Sequence, residues 1–192
     1  MITVCVGHHK FVGKDQLVKF CVDYLRQTDQ YSRKKIVRRG FADKLYDFCQ
    51  SMYGWAGFQS RLHYSTHPAD KERILHQLQK TPRQILIEIG NHMRQYDPLI
   101  WLNGCVKDTT CDLLFITDCR YPNEFKVCEE AGAIMLRVTR PGLPTPTDEA
   151  DTALDGWEEK WHHTVVNDGD LNNLRLIAET FCRHQIINRK AV

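Results

Sequence analysis

The chain has 192 residues, of which 42% are hydrophobic and 26% charged, the composition of a globular domain long enough to bury a sizeable core. Its 26 basic and 24 acidic side chains leave a net charge of +2, too small to argue for nucleic acid as a partner. No stretch approaches the roughly 18 apolar residues of a membrane span, and the N-terminus lacks a signal-peptide pattern, so a cytoplasmic protein without membrane partners is expected.

The opening run M-I-T-V-C-V-G predicts a strand over 2–6, and a helical pattern follows over 15–27. Between them lies G-H-H-K-F-V-G-K-D-Q. A phosphate-binding loop needs two glycines separated by four residues, then a lysine, a hydroxyl side chain and a helix whose positive end faces the phosphates. Here Gly7 and Gly13 have five residues between them, and Asp15 stands where the hydroxyl is expected, although a carboxylate is also a hard ligand for magnesium. Counting back from Gly13 puts His8 at the first glycine's position. Either His8 takes a backbone geometry that glycine prefers, or the loop carries one extra residue after Gly7.

A second strand is predicted over 36–41. The basic run Arg33-Lys34-Lys35 with Arg38-Arg39 fits a solvated turn and strand edge. Helices are then predicted over 43–53, around 71–80, over 82–96 and, beyond Pro98, over 99–106. Thr81-Pro82 is a strong start signal, a cap residue followed by proline at the first helical position. Arg83 lies in that first turn, electrostatically poor for a cation and therefore suggestive of an anionic partner. Arg94 is three helical turns on and shares its face. Trp101 is equally suited to stacking on a base or to filling the core.

The run L-L-F-I-T-D-C-R-Y-P-N-E predicts a buried strand over 113–117 that ends in Asp118. Phosphoryl-transfer enzymes place a magnesium-organising carboxylate at such a strand end, and Arg120 is close enough in sequence to meet a phosphate. A helix over 123–131 should close at Gly132, and strands are predicted over 134–139 and 164–166. The intervening R-P-G-L-P-T-P-T, residues 140–147, excludes regular structure and suits a lid. The last helix begins near Leu171, with Leu174, Ala178, Phe181 and Cys182 at helical spacing. Eight cysteines without a C-x-x-C pair read as free thiols, and the pairs His8-His9 and His162-His163 are not at zinc-ligand spacing. Alternating strands and helices predict an α/β fold, a parallel sheet of about five strands covered by helices on both faces.

Together these motifs resemble the deoxynucleoside monophosphate kinases of bacteriophages, a branch of the P-loop kinases. G-K-D matches the core of that family's loop. F-A-D-K-L-Y resembles its F-A-D-P-L-K, T-P-R-Q-I-L-I-E-I-G its arginine-led helix, and D-C-R-Y-P-N-E its D-x-R-F-P-N-E. R-V-T-R-P-G and V-V-N-D-G-D-L-N-N-L resemble the lid strand and the final turn. The resemblance implies a single P-loop kinase domain over 1–192, with a helical substrate-binding insertion at about 43–107 and a lid at about 140–160. It implies γ-phosphoryl transfer from ATP, with Mg2+, to a small-molecule nucleotide substrate, a deoxynucleoside 5′-monophosphate, giving the diphosphate.

Gly7, His8, His9, Lys10, Val12, Gly13, Lys14, Asp15 and Gln16 would form the ATP loop. Asp15 and Asp118 would organise magnesium, and Lys14, Arg120 and Arg140 would join them in catalysis. Arg83, Arg94, Trp101, Arg120 and Arg137 would meet the substrate. The chain departs from the family in its first loop glycine, in Gln16, in Lys44 and Tyr46, and in having E-A-D-T at 149–152. A related kinase of modified pyrimidines or phosphorylated alcohols, phosphomevalonate kinase being one with a similar loop, and a non-catalytic nucleotide-binding protein stay open as alternatives, as does a homodimer.

Overall fold

The computed structural model describes residues 1–107, 109–147 and 149–188. They divide into two compact units, Met1–Gly40 with the chain from Thr110 onward, and Phe41–Thr109. The strands are β1 (Ile2–Gly7), β2 (Ile36–Arg39), β3 (Leu113–Cys119), β4 (Ile134–Thr139) and β5 (His163–Val166). The helices are α1 (Lys14–Arg26), α2 (Asp43–Tyr53), α3 (Arg61–Thr66), α4 (Pro82–Tyr96), α5 (Ile100–Val106), α6 (Pro122–Glu130), α7 (Glu149–Thr152) and α8 (Leu171–Phe181).

The first unit is α/β, as its alternating pattern predicts. Its five strands form one sheet in the order β2-β3-β1-β4-β5, with every pairing parallel. The central strands β1 and β3 are buried almost throughout, which is why they read as continuous apolar runs. β2 is an edge strand whose Arg38 and Arg39 are exposed, a charge pattern that keeps an open edge from pairing with another chain. It ends at Arg39 rather than 41, because Phe41 already belongs to the second unit.

On one face of the sheet Val4, Val6, Phe115, Leu136 and Val138 pack with Leu17, Cys21 and Leu25 of α1 and with Leu174, Ala178 and Phe181 of α8. Each fully buried leucine or phenylalanine there contributes about 1.5–3 kcal/mol. The alternate residues Cys5, Leu114, Ile116 and Met135 are equally buried on the other face, where α6 packs on β4 and its Phe125 meets Trp157 and Trp161 edge-on. All eight cysteines are free, and seven of them are buried.

The chain leaves β1 through α1 toward β2 on one side, and leaves β3 through α6 toward β4 on the other. The carboxyl ends of β1 and β3 therefore flank the switch point of the sheet, where open α/β folds hold their ligands.

The second unit consists of α2 to α5 with short 3-10 turns at Gly54–Ala56 and Pro68–Glu72. Helix α4 starts as predicted: Thr81 Oγ1 accepts from Gln84 N at 3.2 Å, and Thr81 N donates to the Gln84 side chain at 2.8 Å. The predicted helix around 71–80 is absent. That segment turns back on itself, Leu75 N donating to Lys80 O at 2.9 Å, with Gln79 left-handed at φ +53°. Thr81 is extended as the residue before a proline prefers, so a helix over 71–80 could not run on into α4 and would be about ten residues long, marginal on its own. No helix among the described residues is long and apolar enough to cross a membrane.

Candidate functional site

The segment between β1 and α1 bends through three left-handed residues, His8 at φ +92°, Phe11 at +64° and Gly13 at +97°. Of these, Gly13 alone is a glycine. His8, with four residues between it and Gly13, thus has the left-handed backbone that glycine prefers. Gly7 has a different task. It pairs with Cys119 and Arg137 inside the sheet, and a Cβ on it would lie 2.3 Å from Trp161 Cη2 and 2.5 Å from Cys119 O. Left-handed backbone at a non-glycine residue costs about 1–2 kcal/mol. At His8 the buried ring offsets that cost, stacking on His9 at 3.6 Å with Arg137 Nη2 3.3 Å from its Nε2. Burial, then His9 and Arg137, push the His8 pKa down to about 4, so the imidazole is neutral near pH 7.

Lys14 opens α1 and is 8% exposed. Its ammonium turns back onto the loop, donating to His8 O at 3.0 Å and to His9 O. Burial, then Arg120, lowers its pKa to about 8, against the opposing pull of Asp15, Asp151 and Asp118. Lys14, Arg120, Asp118 and Asp151 define the centre of the site, with Asp15 at its edge. No side chain caps the amino end of α1, so its first-turn N–H groups are available to an anion.

Asp118 reaches this centre through a register shift. Cys5 pairs with Ile116 but Gly7 with Cys119, so β3 carries one residue more than β1 across this interval. Such bulges re-aim side chains beside functional sites. Arg120 follows in a turn fixed by buried Glu124, whose carboxylate accepts from the N–H groups of Arg120 at 3.1 Å and Tyr121 at 3.2 Å. Burial raises the Cys119 thiol pKa, which disfavours its thiolate.

Three acids from the stretch 149–158 lie on the basic side chains of the site. Asp151, with a side chain 1% exposed, meets Arg120 at 2.5 Å and Lys10 at 3.4 Å. Asp155 meets His9 at 2.9 Å and His8 at 3.5 Å, and Glu158 meets Arg137 at 3.1 Å. Asp151 and Asp155 are site residues that sequence reasoning missed, because nothing local in E-A-D-T or L-D-G-W marks a buried acid. Among the described residues, the buried side-chain atoms without a hydrogen-bond partner are His8 Nδ1, Thr117 Oγ1, Arg137 Nε, Asp151 Oδ2 and Trp161 Nε1. Asp151 Oδ2 nevertheless has the Lys10 ammonium at 3.4 Å, which leaves His8 Nδ1, Thr117 Oγ1 and Arg137 Nε as the atoms just after β1 and on β3 and β4 that a polar ligand could satisfy.

His8, His9 and Asp155 bring three ligand-type atoms within 4.8 Å of one another. The two rings stack only 25° from parallel, so one ion cannot lie in both ring planes, and Arg137 already faces His8 Nε2. The trio is built as a carboxylate contact rather than a metal centre.

The remaining predicted residues are placed as follows. Val12 is buried and Gln16 half-buried, while Asp15 is exposed and paired with Arg38 at 2.5 Å beside a cavity of about 370 Å3. Arg140 is exposed just beyond β4. Arg83, Arg94 and Trp101 lie in the helical unit. There Arg83 is exposed and paired with Glu72 at 2.5 Å, Arg94 sits in the last turn of α4, and Trp101 is 6% exposed with its Nε1 donating to Gly90 O at 3.3 Å. Trp101 is thus part of that unit's core. A second cavity, about 290 Å3 and lined by His162, His163, His184 and Gln185, is at the opposite, amino end of β4 and β5.

No protein-family model matches the chain, and no curated protein matches it.

Proposed function

We propose that the chain is an ATP-dependent kinase that transfers the γ-phosphoryl group of ATP to a deoxynucleoside 5′-monophosphate, with magnesium. One observation carries this: a buried ammonium, Lys14, held by a left-handed loop that opens a helix at the switch point of a parallel sheet. In this role Lys14 would leave the two loop carbonyls for phosphate oxygens, exchanging dipoles for full charges where burial strengthens the attraction.

Asp118 and Asp15 are hard oxygen donors suited to the magnesium that accompanies ATP, which neutralises phosphate charge when bound. Asp15 would first have to leave Arg38. Arg120 and Arg137 would stabilise charge on the transferring group once Asp151 and Glu158 yield, with Arg140 as a further cation. Phosphoryl transfer needs positioning and neutralisation more than a nucleophilic side chain, which suits this set.

The choice of acceptor rests on the family resemblance, with Arg83 and Arg94 as its candidate phosphate contacts. The test is ATP-dependent turnover across the four deoxynucleoside monophosphates, modified pyrimidine nucleotides and phosphorylated alcohols. Diphosphate formation from a deoxynucleotide supports the proposal, and turnover confined to phosphorylated alcohols moves the chain to the other kinase class. A second reading, a nucleotide-binding protein without transfer activity, is favoured by the pairing of Asp15 with Arg38 and by the acids lying on Arg120 and Arg137. ATP binding without turnover of any acceptor would select it.

A further inference from the structure

We infer that Asn167 is the positioning residue of the phosphate loop, the side chain that sets the direction of the Gly13 backbone N–H at its carboxyl end. The inference rests on the nucleotide-binding reading given above. Asn167 follows β5 directly and is 6% exposed. Its own N–H donates to Thr139 O at 2.8 Å, which extends the β4–β5 ladder by one residue and ties Asn167 to the sheet. Its Nδ2 donates to Val12 O at 2.9 Å in a buried contact.

A carbonyl can only accept, so the amide nitrogen must be the atom facing Val12. Because the Val12–Gly13 peptide is trans, its N–H points opposite to its C=O. Fixing the carbonyl from the β5 side therefore aims the Gly13 N–H away from Asn167.

Gly13 fits this contact in two ways. Its φ of +97° suits glycine, and a Cβ on it would come within 2.6 Å of Asn167 Nδ2. The amide thus packs into the space where a side chain would stand. The rest of the N-D-G-D turn belongs to α8: Asp170 caps that helix by accepting from Asn173 N at 2.8 Å, and Gly169 is closely covered by Asn173. One short turn therefore joins the loop, β5 and α8, and within it Asn167 is the residue whose side chain hydrogen-bonds the loop's backbone.

The test compares Asn167→Asp, which is isosteric but replaces the donor by an acceptor, and Asn167→Ser, which removes the amide without adding charge. Asp170→Ala, which weakens α8 without touching the loop, is the control. For each chain, the dissociation constant for ATP is measured well below the thermal midpoint, together with that midpoint. The expected result is an ATP affinity about tenfold weaker in either Asn167 variant, from the loss of roughly one buried hydrogen bond's worth of positioning. Asp170→Ala should lower the midpoint and leave ATP affinity unchanged. An Asn167 variant that folds and binds ATP within about twofold of the unsubstituted chain overturns the positioning role alone. Failure of the unsubstituted chain to bind ATP overturns the nucleotide reading and this inference with it.

Discussion

Replacing His8 by glycine separates the backbone role of that position from its side-chain role, and pH is the variable that does it. The backbone gains, because a left-handed non-glycine residue at φ +92° costs about 1–2 kcal/mol, of which glycine's freer unfolded chain takes back about 0.5–1. The side chain loses its burial, its stack on His9 and its contact with Arg137. Near neutral pH these largely cancel, and His8→Gly should lie within about 1 kcal/mol of the unsubstituted protein.

Below pH 6.5 the balance shifts. The folded pKa of His8 is lowered to about 4 from an ordinary 6.5, so the unfolded chain binds the proton first and stability is lost as pH falls through that window. At about pH 5 the loss amounts to roughly 2 kcal/mol, and glycine does not suffer it. Urea unfolding of both proteins at about pH 7.5 and about pH 5 reads the difference directly. The variant should gain about 2 kcal/mol relative to the unsubstituted protein between the two conditions. A gap that stays constant would refute a buried, neutral His8.

Other outcomes follow from the same geometry. Gly7→Ala should destabilise by about 1–3 kcal/mol in thermal or urea unfolding, since its Cβ would overlap Trp161 and the Cys119 carbonyl. The lowered pKa of Lys14, about 8, predicts that ATP affinity measured by titration falls about tenfold between pH 7 and pH 9, as the ammonium loses its proton. The double variant Asp155→Asn, Glu158→Gln removes two carboxylates that compete with phosphate for His9 and Arg137. Its ATP affinity should rise severalfold, by analogy with relieving a surface ion pair of about 1 kcal/mol, whereas an unchanged or weaker affinity would make those acids part of the binding machinery.

The sheet was legible because buried parallel strands leave long apolar runs, as in L-L-F-I-T, and the glycine and proline signals bounded α4 and α6 correctly. The turn at 75–80 was not, since leucines at 75 and 78 fit a helix as well as a turn and the stretch 71–80 holds no glycine or proline to mark the reversal. The loop itself was half legible. A motif read by residue type looks for glycines, whereas the chain keeps left-handed backbone at His8 and Phe11 with other side chains. Gly7 misled for the converse reason, being a glycine required by packing against Trp161 rather than by its dihedral angle. Asp151 and Asn167 reach the loop from 137 and 155 positions along the chain beyond Lys14 and Val12, and contacts of that kind leave no local pattern.

The most direct measurement is calorimetric titration of magnesium-ATP into the unsubstituted protein and into Lys14→Ala. Saturable binding by the unsubstituted chain, weakened about 10- to 100-fold in the variant, is what loss of one charge-assisted phosphate contact predicts. Equal affinity in the two proteins, or no binding by either, would contradict a phosphate site built around Lys14.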